Sequence, residues 1–573
     1  MRFTAGSRAA ARRQQFYVVG APARPAREGD HATPPAGERL ARIQLSRAAY
    51  AWVLAAGIAL GVAARASWVL AADFPVNDGG LFYVMARDLQ DNGYRLPAFT
   101  SYNGGHIPFA YAPLGFYAAA LLEAATPMSM LTVFRFLPLA LAIGTVGAFL
   151  LLARSLVRDR LTVAVAVFGF ALLPQSYEWL VMGGGLTRGF GLLFSLLAVH
   201  QAHALYTTRR LRHVPALGLL AGLTLLSHIE MGWWTAWSVG LFLVFEGRHR
   251  AGIIGSLAAA AISLAVAAPW LVTVLAAHGT APFVASMHTG VVSPLVALIL
   301  FSSFYSAREP FFPVFASLAM LGIAVSIVRR QYLLPAWVLL ASLVDTRSAP
   351  RVGAPAVSLL AAVAFVEVLL PLFLRATAGR VGALAPRGRF ALPRHSFALG
   401  ASLVMLGYAA ITNLAVGTVA LGAMPAADRE AMAWAAQHTP PGSRFVLVTG
   451  STWGADYDSE WFPALAGRVS IATVQGAEWL SPPPAFSERI DSYQELQRCG
   501  RDTSECLDAW QAANNGAAFD YVFVGRNSPN PLPGDSNADS DCCSTLRTSL
   551  SRDPRYRLVF GNEAVSIFAL NGD

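Results

Sequence analysis

A carboxylate opens a polar stretch that interrupts an otherwise apolar chain. Asp78 follows Asn77 and precedes Gly79 and Gly80 in FPVNDGGLFYVMARDLQDNG, directly after the first long apolar run. A carboxylate at the surface of an apolar region can act as a general base toward a hydroxyl, or as a metal ligand. The alternative is an N-cap for the helix-like run that follows, a position that Asp fills well.

A second polar break combines an acid, three glycines and an arginine. YEWLVMGGGLTRGF places Glu178 before the glycines and Arg188 after them. A helix N-terminus with glycine amides and an arginine is typical of a phosphate-binding site. The alternative is a glycine turn that joins two antiparallel helices.

Two further breaks carry ionisable residues. LLSHIEMGWW places His228 and Glu230 between two short apolar runs, and VDTRSAPRVGAP places Arg347 and Arg351 before another run. Ionisable residues at such breaks indicate function, although His228 and Glu230 could instead pair to cap helix ends. The fork of a guanidinium suits phosphate oxygens, and Arg351 is preferred because Arg347 can pair with Asp345.

Aromatic residues are frequent in the forty residues after Asp78. Two helix-like segments lie there, LFYVMARDLQDNG and PFAYAPLGFYAAALLE. Tyr83 and Tyr102, with Tyr111 and Tyr117, are predicted to form the walls of a groove the size of a sugar. The alternative is an aromatic belt at a membrane interface.

The elements that position these residues are predicted to be transmembrane helices. The chain has 573 residues, of which 55% are hydrophobic and 13% charged, with a mean hydropathy of +0.47. Soluble domains carry about 25% charged residues, so this composition indicates a membrane protein. The predicted spans are 48–72, 130–153, 161–180, 186–206, 214–227, 231–245, 251–275, 311–328, 332–344, 353–374 and 396–422, and 294–305 is predicted as a re-entrant or interfacial piece.

The distribution of arginine predicts the orientation. Fifteen arginines lie in one set of alternate loops, between Arg154 and Arg394, and six lie in the opposite set, between Arg87 and Arg351. The side richer in arginine is cytoplasmic. Residues 1–46 are therefore predicted as a disordered cytoplasmic tail, and 47–423 as a membrane domain with a long first outward loop at 73–129. The net charge of +9 does not indicate nucleic-acid binding, because the arginines form no dense patch.

Residues 424–573 are predicted as an extracytoplasmic α/β domain. DREAMAWAAQHTPPGSR has the pattern of a helix, whereas RFVLVTG, FDYVFVG and YRLVFGNEAVSIFAL have that of strands. DSEWFPALAGR is interpreted as a packed Trp-Phe-Pro corner. All four cysteines lie here, which predicts at least one disulfide. Cys542 and Cys543 are expected to bond to Cys499 or Cys506 rather than to each other.

This layout resembles the GT-C glycosyltransferases, which use polyprenyl-phosphate sugars and include protein O-mannosyltransferases, aminoarabinose transferases and the catalytic subunits of oligosaccharyltransferases. The resemblance covers residues 48–422 in layout, and Asp78 matches the acidic position in the family's first outward loop. It implies an α-helical polytopic fold and inverting transfer of a sugar to an extracytoplasmic glycan, lipid or protein. It also implies a base, Asp78, a donor phosphate held by arginine, and a location in the bacterial plasma membrane.

The residues assigned to this site are, for the donor phosphate, Arg188, Arg347 and Arg351, and for the rest of the substrate site, Glu178, His228, Glu230, Tyr83 and Tyr102. A divalent metal, Mg or Mn, is left open as a cofactor. Two alternatives to an enzyme are a polytopic transporter and a non-catalytic envelope-assembly protein. A transporter is expected to show internal repeats and charges within the membrane, whereas few charged residues, among them Arg65 and Glu367, lie inside the predicted spans.

Overall fold

The structure is a computed structural model. It describes residues 46–571 with these gaps: 288, 290–292, 294, 297–298, 300–312, 346, 375–395, 417–420, 481–484 and 527–540. The predicted tail and most of the predicted re-entrant piece at 294–305 lie outside the described residues.

The membrane part is helical. Its helices, in chain order, are α1 (Arg47–Ala71), α2 (Gly80–Asp91), α3 (Leu114–Ala125), α4 (Met130–Leu156), α5 (Arg160–Leu172), α6 (Glu178–Val181), α7 (Gly185–Thr208), α8 (Val214–Ser227), α9 (Ile229–Glu246), α10 (Arg250–His278), α11 (Ala281–Met287), α12 (Val314–Val328), α13 (Leu333–Val344), α14 (Ala349–Ala364, continuing through a π turn to Leu369) and α15 (Ser396–Val416). A short antiparallel pair, β1 (Phe99–Thr100) and β2 (Ile107–Pro108), lies between α2 and α3. The two helices predicted within the first loop are thus confirmed.

Several of these helices are long and apolar enough to cross a membrane. Among the described residues, four helical stretches meet this requirement by length and composition: Tyr50–Ala71, Met130–Leu156, Arg250–His278 and Ala349–Leu374. Shorter apolar helices include α5, α12 and α13. The total of eleven spans stays a prediction.

The predicted span 161–180 is not one helix. α5 ends at Leu172, and a 3-10 turn at Pro174–Ser176 leads into the short helix α6. Arg65 of α1 is fully buried at this break, where it donates to the carbonyl of Ala171 and to the hydroxyl of Ser176. Its guanidinium also lies 4.6 Å from the centre of the Tyr177 ring. Arg65 therefore satisfies the Ala171 carbonyl, which the break leaves without a helical partner. A continuous apolar run in the sequence gives no reason to expect this contact.

The helix breaks bring distant segments together beside α7. This helix packs against α4, α8 and α9. The chain reverses between α8 and α9 at His228, whose backbone is extended (φ −160°, ψ 120°). The predicted boundary between the two short spans is thus confirmed.

The C-terminal part, from residue 426, contains a mixed sheet. It comprises α16 (Ala426–His438), β3 (Arg444–Val448), α17 (Tyr457–Ala466), β4 (Val469–Ser470), α18 (Ala485–Arg498), α19 (Ser504–Ala513), β5 (Tyr521–Gly525), α20 (Ser544–Arg552), β6 (Tyr556–Gly561) and β7 (Val565–Leu570). The strand order is β4-β3-β5-β7-β6, with β3 parallel to both of its neighbours and β7 antiparallel to both of its own. The segments predicted as strands all pair in this sheet. Alternate residues of β3 and β5 enter two apolar cores, one on each face.

The cysteine pairing differs from the expectation. Cys499 bonds to Cys506, and the adjacent residues Cys542 and Cys543 bond to each other. The turn after α18 brings the Cα atoms of Cys499 and Cys506 to 5.5 Å, a usual separation for a disulfide. The prediction of at least one disulfide is confirmed, but the expectation that Cys542 and Cys543 would not pair with each other is wrong.

The C-terminal part is fastened to the first loop. The Asn77 amide donates to the Gly422 carbonyl at 2.7 Å, beside an antiparallel bridge between Val76 and Ala423. Arg429 of α16 pairs with Asp73 at 2.5 Å. The backbone contacts of Val76 and Asn77 fix the segment that leads into Asp78.

Candidate active site

Asp78 lies in a turn that points its carboxylate away from its own helix. The flanking residues Asn77 and Gly79 both have positive φ, 50° and 135°. α2 begins at Gly80 with Gly79 as its N-cap, and no side chain caps it. The N-cap alternative for Asp78 is therefore wrong, because the turn carries the carboxylate past the start of α2.

The Asp78 carboxylate instead meets the start of α7. Its Oδ1 accepts from the Gly184 amide at 2.9 Å, and its Oδ2 lies 3.3 Å from Arg188 Nη1. Their side chains are about equally exposed, 15% for Asp78 and 16% for Arg188. A helix N-terminus and a guanidinium both interact favourably with a carboxylate. The site therefore presents a fixed, partly exposed carboxylate.

Glycines 183 and 184 make this approach possible. A Cβ on Gly184 would lie 2.5 Å from Asp78 Oδ2, and one on Gly183 would lie 2.3 Å from the Asp78 carbonyl oxygen. The Gly183 amide donates to the Val76 carbonyl, and the Gly184 amide donates to Asp78. Both amides are thus hydrogen-bonded within the protein. The sequence had instead predicted that they would bind a phosphate group.

A second carboxyl group lies beside the turn. Glu460 of α17 accepts from the Gly79 amide through Oε1 at 2.9 Å, and its Oε2 lies 3.2 Å from Gln475 Nε2. Burial raises the pKa of Glu460 to about 8, and the neighbouring Asp78 carboxylate adds to this effect. Two carboxyl groups, those of Asp78 and Glu460, thus lie next to Gly79.

The arginines predicted late in the chain lie in a separate group, here called the arginine cluster (Glu230, Arg347, Ser348 and Arg351). Ser348 donates to Glu230 Oε1 at 2.7 Å, and Arg351 Nη1 lies 3.8 Å from Glu230 Oε2. Arg347 donates to the Thr289 hydroxyl at 2.8 Å and not to Asp345 as the sequence suggested. Glu230 thus pairs with the start of α14, and the alternative of a capping pair with His228 is not what the structure shows.

Polar atoms of this region are buried without a partner. Arg351 Nε and Nη1 and His228 Nδ1 have no hydrogen-bond partner among the described residues. A buried guanidinium N–H without an acceptor is costly, about 1–3 kcal/mol for each such group. The cluster can therefore accept an anion that supplies oxygens to Arg351.

The two groups of charges lie within electrostatic reach of each other. The positive charges of Arg188 and Arg351 both act electrostatically on the His228 imidazole. The phenol of Tyr111 is influenced by Arg188 and by Arg347, and its ring packs 4.8 Å from Trp479. Arg188, the partner of Asp78, and the arginines of the arginine cluster therefore act on the same side chains.

Three other residues predicted for the site, Tyr102, Tyr83 and Glu178, pack against other parts of the protein. Tyr102 is 1% exposed and donates to the Glu460 carbonyl at 2.6 Å, so it fastens the loop instead of facing an open groove. Tyr83 packs 5.8 Å from Trp461, measured between ring centres. Glu178 is buried and is the first residue of α6. Arg188, which follows the three glycines in the sequence, pairs with Asp78.

The described residues around Asp78 do not fit a divalent cation. The carboxylate faces an amide N–H and a guanidinium, which are hydrogen-bond donors, whereas a hard cation needs several oxygen ligands. Across the described part of the chain, no three His, Cys, Asp or Glu side chains form a group that could hold a metal. No step of the reaction is therefore assigned to a metal.

Sequence reasoning missed the contribution of α17. DSEWFPALAGR was interpreted as a packing corner, but its Glu460 and Trp461 contact the Asp78 turn directly, Trp461 by donating to the Asn77 carbonyl at 2.9 Å. The available signal was an acid next to a tryptophan in a segment with two further acidic or hydroxyl residues. Nothing in that pattern specifies a partner about 380 positions earlier.

The fold was compared with known proteins. No protein-family model matches the chain, and no curated protein matches it. The oligosaccharyltransferase AglB from Archaeoglobus fulgidus, in complex with an inhibitory peptide and a dolichol-phosphate, superposes with a TM-score of 0.54 at 15% identity, over 83% of this chain and 69% of that chain. The same enzyme in complex with Zn and sulfate gives a TM-score of 0.55 at 15% identity, over 82% and 68%.

A bacterial structure shows the same similarity. The arabinofuranosyltransferase AftD from Mycobacteria superposes with a TM-score of 0.55 at 15% identity, over 92% of this chain and 40% of that longer chain. At such low identity, similarity of this kind establishes the fold and not the substrate. The fold of this chain is similar to that of these GT-C glycosyltransferases.

Proposed function

We propose that this chain is an inverting glycosyltransferase that moves a sugar from a polyprenyl-phosphate donor to an acceptor outside the cytoplasm, a cell-envelope glycan, lipid or protein. The observation that carries the proposal is the Asp78 carboxylate, held by Gly184 and Arg188 at the start of α7. The carboxylate is partly exposed and lies near a group of arginines. The GT-C fold supports the lipid-linked donor, because a lipid tail in the bilayer places its phosphate at the membrane surface.

In this proposal, Asp78 is the general base. It accepts the proton of the acceptor hydroxyl as the acceptor oxygen bonds to the anomeric carbon. The bond from that carbon to the phosphate oxygen breaks with inversion, and its electrons leave with the lipid phosphate. A carboxylate paired with Arg188 is a weak base, but it suffices because the hydroxyl becomes acidic as its oxygen bonds to the sugar.

The leaving phosphate gains a negative charge, which the arginine cluster is proposed to stabilise. Arg351 is preferred, because its Nε and Nη1 have no acceptor among the described residues. Arg347 and Arg188 add positive charge nearby, since both act electrostatically on Tyr111 and His228. The arrangement binds the phosphate on one side of the site and takes up the proton on the other.

The proposed location is the bacterial plasma membrane, with residues 1–46 in the cytoplasm and 424–573 outside. The arginine bias of the loops supports this orientation, and the two disulfides support an oxidising compartment for the C-terminal part. Nucleotide-activated sugars cannot serve as donors outside the cytoplasm, so the sugar must be activated in another way. A preformed lipid-linked sugar meets this requirement.

The test is Asp78→Asn in the full-length protein in membranes. Asn keeps the shape and an oxygen for Gly184 but accepts no proton, so transfer from a panel of polyprenyl-phosphate sugars should fall by at least ~10²-fold. The measurement is release of polyprenyl phosphate together with labelled product. Asp73→Asn is the matched control: this residue lies in the same loop and its side chain is 72% exposed, so transfer should stay within ~2-fold, since exposed ion pairs contribute ~0–1 kcal/mol. An Asp78→Asn protein as active as the Asp73→Asn protein would rule out the base.

A further inference from the structure

The C-terminal domain reaches the turn that carries Asp78. The carboxyl group of Glu460 is 5% exposed and accepts the Gly79 amide at 2.9 Å. Gly79 is the residue directly after Asp78, and its φ of 135° is accessible to glycine at little cost. A hydrogen bond at this amide therefore fixes the peptide that orients the Asp78 carboxylate.

The contacts on both sides of Asp78 come from the same helix, α17. Trp461 donates to the Asn77 carbonyl at 2.9 Å, and a Cβ on Gly80 would lie 2.5 Å from the Glu460 carbonyl oxygen. That same carbonyl accepts from the Tyr102 hydroxyl at 2.6 Å. The turn is thus held between α7 of the membrane part and α17 of the C-terminal domain.

We infer that Glu460 is a positioning residue for Asp78, so that the C-terminal domain completes the active site through the Gly79 amide. The inference rests on the proposed function for its catalytic consequence. It needs no contact between Glu460 and the substrate. It assigns to the domain a role in the reaction in addition to any role in binding an acceptor.

The charge of Glu460 matters because it lies so close to Asp78. The charged or titratable groups that face it are Asp78 from the first loop, Arg188 from α7, Glu478 from the turn after β4, and the Tyr102 phenol. Burial and the Asp78 charge favour the neutral form, since the pKa of Glu460 is raised to about 8. The neutral carboxyl accepts from Gly79 through its carbonyl oxygen. Gln475 Nε2 donates to Oε2 at 3.2 Å, and a protonated Oε2 can still accept this bond through a lone pair.

The direction of the pH effect follows. Below pH 8, Glu460 is neutral and adds no negative charge beside Asp78. As the pH rises through about 8, Glu460 ionises and repels the Asp78 carboxylate. Turnover should therefore fall on the alkaline side, with Glu460 as one cause.

The experiment compares Glu460→Gln and Glu460→Ala in the full-length protein. Gln keeps an oxygen for Gly79 and does not titrate, so kcat at pH 7 should stay within ~3-fold of wild type and the alkaline fall near pH 8 should be lost. Ala removes the acceptor, so kcat should fall by ~10-fold or more while the KM for the donor changes by less than ~3-fold. Glu488→Gln and Glu488→Ala are the matched controls, because Glu488 is exposed on α18; both should behave as wild type.

A second measurement does not depend on activity. Hydrogen exchange of the peptide that contains Gly79 should be faster in Glu460→Ala than in wild type and unchanged in Glu460→Gln. If wild type transfers sugar, but Glu460→Ala keeps its kcat or Glu460→Gln keeps the alkaline fall, the positioning role is wrong and the proposed function stands. If wild type transfers no sugar while Glu460→Ala exchanges faster, the contact is real and the proposed function is wrong. Unchanged exchange in Glu460→Ala would overturn the inference.

Discussion

The Asp78 turn and the arginine cluster are built differently. Each oxygen of the Asp78 carboxylate has a partner, Gly184 on one side and Arg188 on the other, and the turn itself is held by α17. In the arginine cluster, by contrast, Arg351 Nε and Nη1 have no hydrogen-bond partner among the described residues. One region is complete without a ligand, whereas the other has donors that a ligand must satisfy. In the proposed function, the first region takes up the proton and the second binds the anionic leaving group.

The largest effect is expected from Gly184→Ala, which disturbs the Asp78 turn from the side of α7. The new Cβ would lie 2.5 Å from Asp78 Oδ2 and 2.7 Å from Oδ1, so the carboxylate must leave its partners. Transfer should fall by ~10²-fold, as for loss of the base itself. The assay is the same release of polyprenyl phosphate from membranes.

Gly147→Ala provides the control for this substitution. Gly147 lies in α4, where an added Cβ would have open space, and Ala favours a helix by ~1 kcal/mol over Gly. Its transfer rate should equal that of wild type. Full activity in Gly184→Ala would mean that the position of the carboxylate does not limit the reaction.

Sequence reasoning found the residues of this site better than it found their partners. Asp78, Arg188, Glu230 and Arg351 were identified because charged residues are scarce in an apolar chain, and the structure pairs Asp78 with Arg188 and Glu230 with Arg351. Their pairing was not predictable. Asp78 stands in the pattern of an N-cap, but two positive φ angles, at Asn77 and Gly79, turn its carboxylate toward a helix more than a hundred residues later.

The same limit applies to the helices and to the C-terminal domain. The boundary at His228 was predictable because polar residues interrupt the apolar run, whereas the break after Leu172 depends on Arg65, a residue more than a hundred positions earlier. Glu460 was missed because a contact with Gly79 leaves no periodic signal in the segment that makes it. Local patterns specify elements, and contacts across hundreds of residues specify the site.

A smaller effect is expected at Asp458, whose buried oxygen can be compared with the buried nitrogens of Arg351. Asp458 of α17 is 2% exposed, and its Oδ1 has no hydrogen-bond partner within the described parts of the chain. No arginine pairs with it there, and its neighbours Asp428 and Asp456 are acids. It lacks the surroundings of an anion site, so we assign it no ligand.

The prediction for Asp458→Asn therefore concerns stability. Burial, and then the charges of Asp428 and Asp456, raise the pKa of Asp458 well above its usual value. The unfolded chain ionises first, so the stability that the neutral acid provides is present at acidic pH and is lost as the pH rises through the folded-state pKa. Asn does not titrate: Tm should match wild type near pH 4 and exceed it by on the order of 2–4 °C at pH 8. Asp491→Asn, at an exposed position of α18, should show no such trend, and a change in donor use by Asp458→Asn would contradict the assignment.

The most direct test of the division between the two regions is binding of a short-chain polyprenyl phosphate to Asp78→Asn and Arg351→Lys, measured side by side on purified protein. Lys keeps the charge opposite Glu230 but loses the guanidinium fork. We predict that Asp78→Asn binds the lipid phosphate as wild type does, within ~3-fold or more tightly, and that Arg351→Lys binds it ~10-fold more weakly, a change of about 1.4 kcal/mol. Wild-type binding by Arg351→Lys, or an equal loss in Asp78→Asn, would contradict the account.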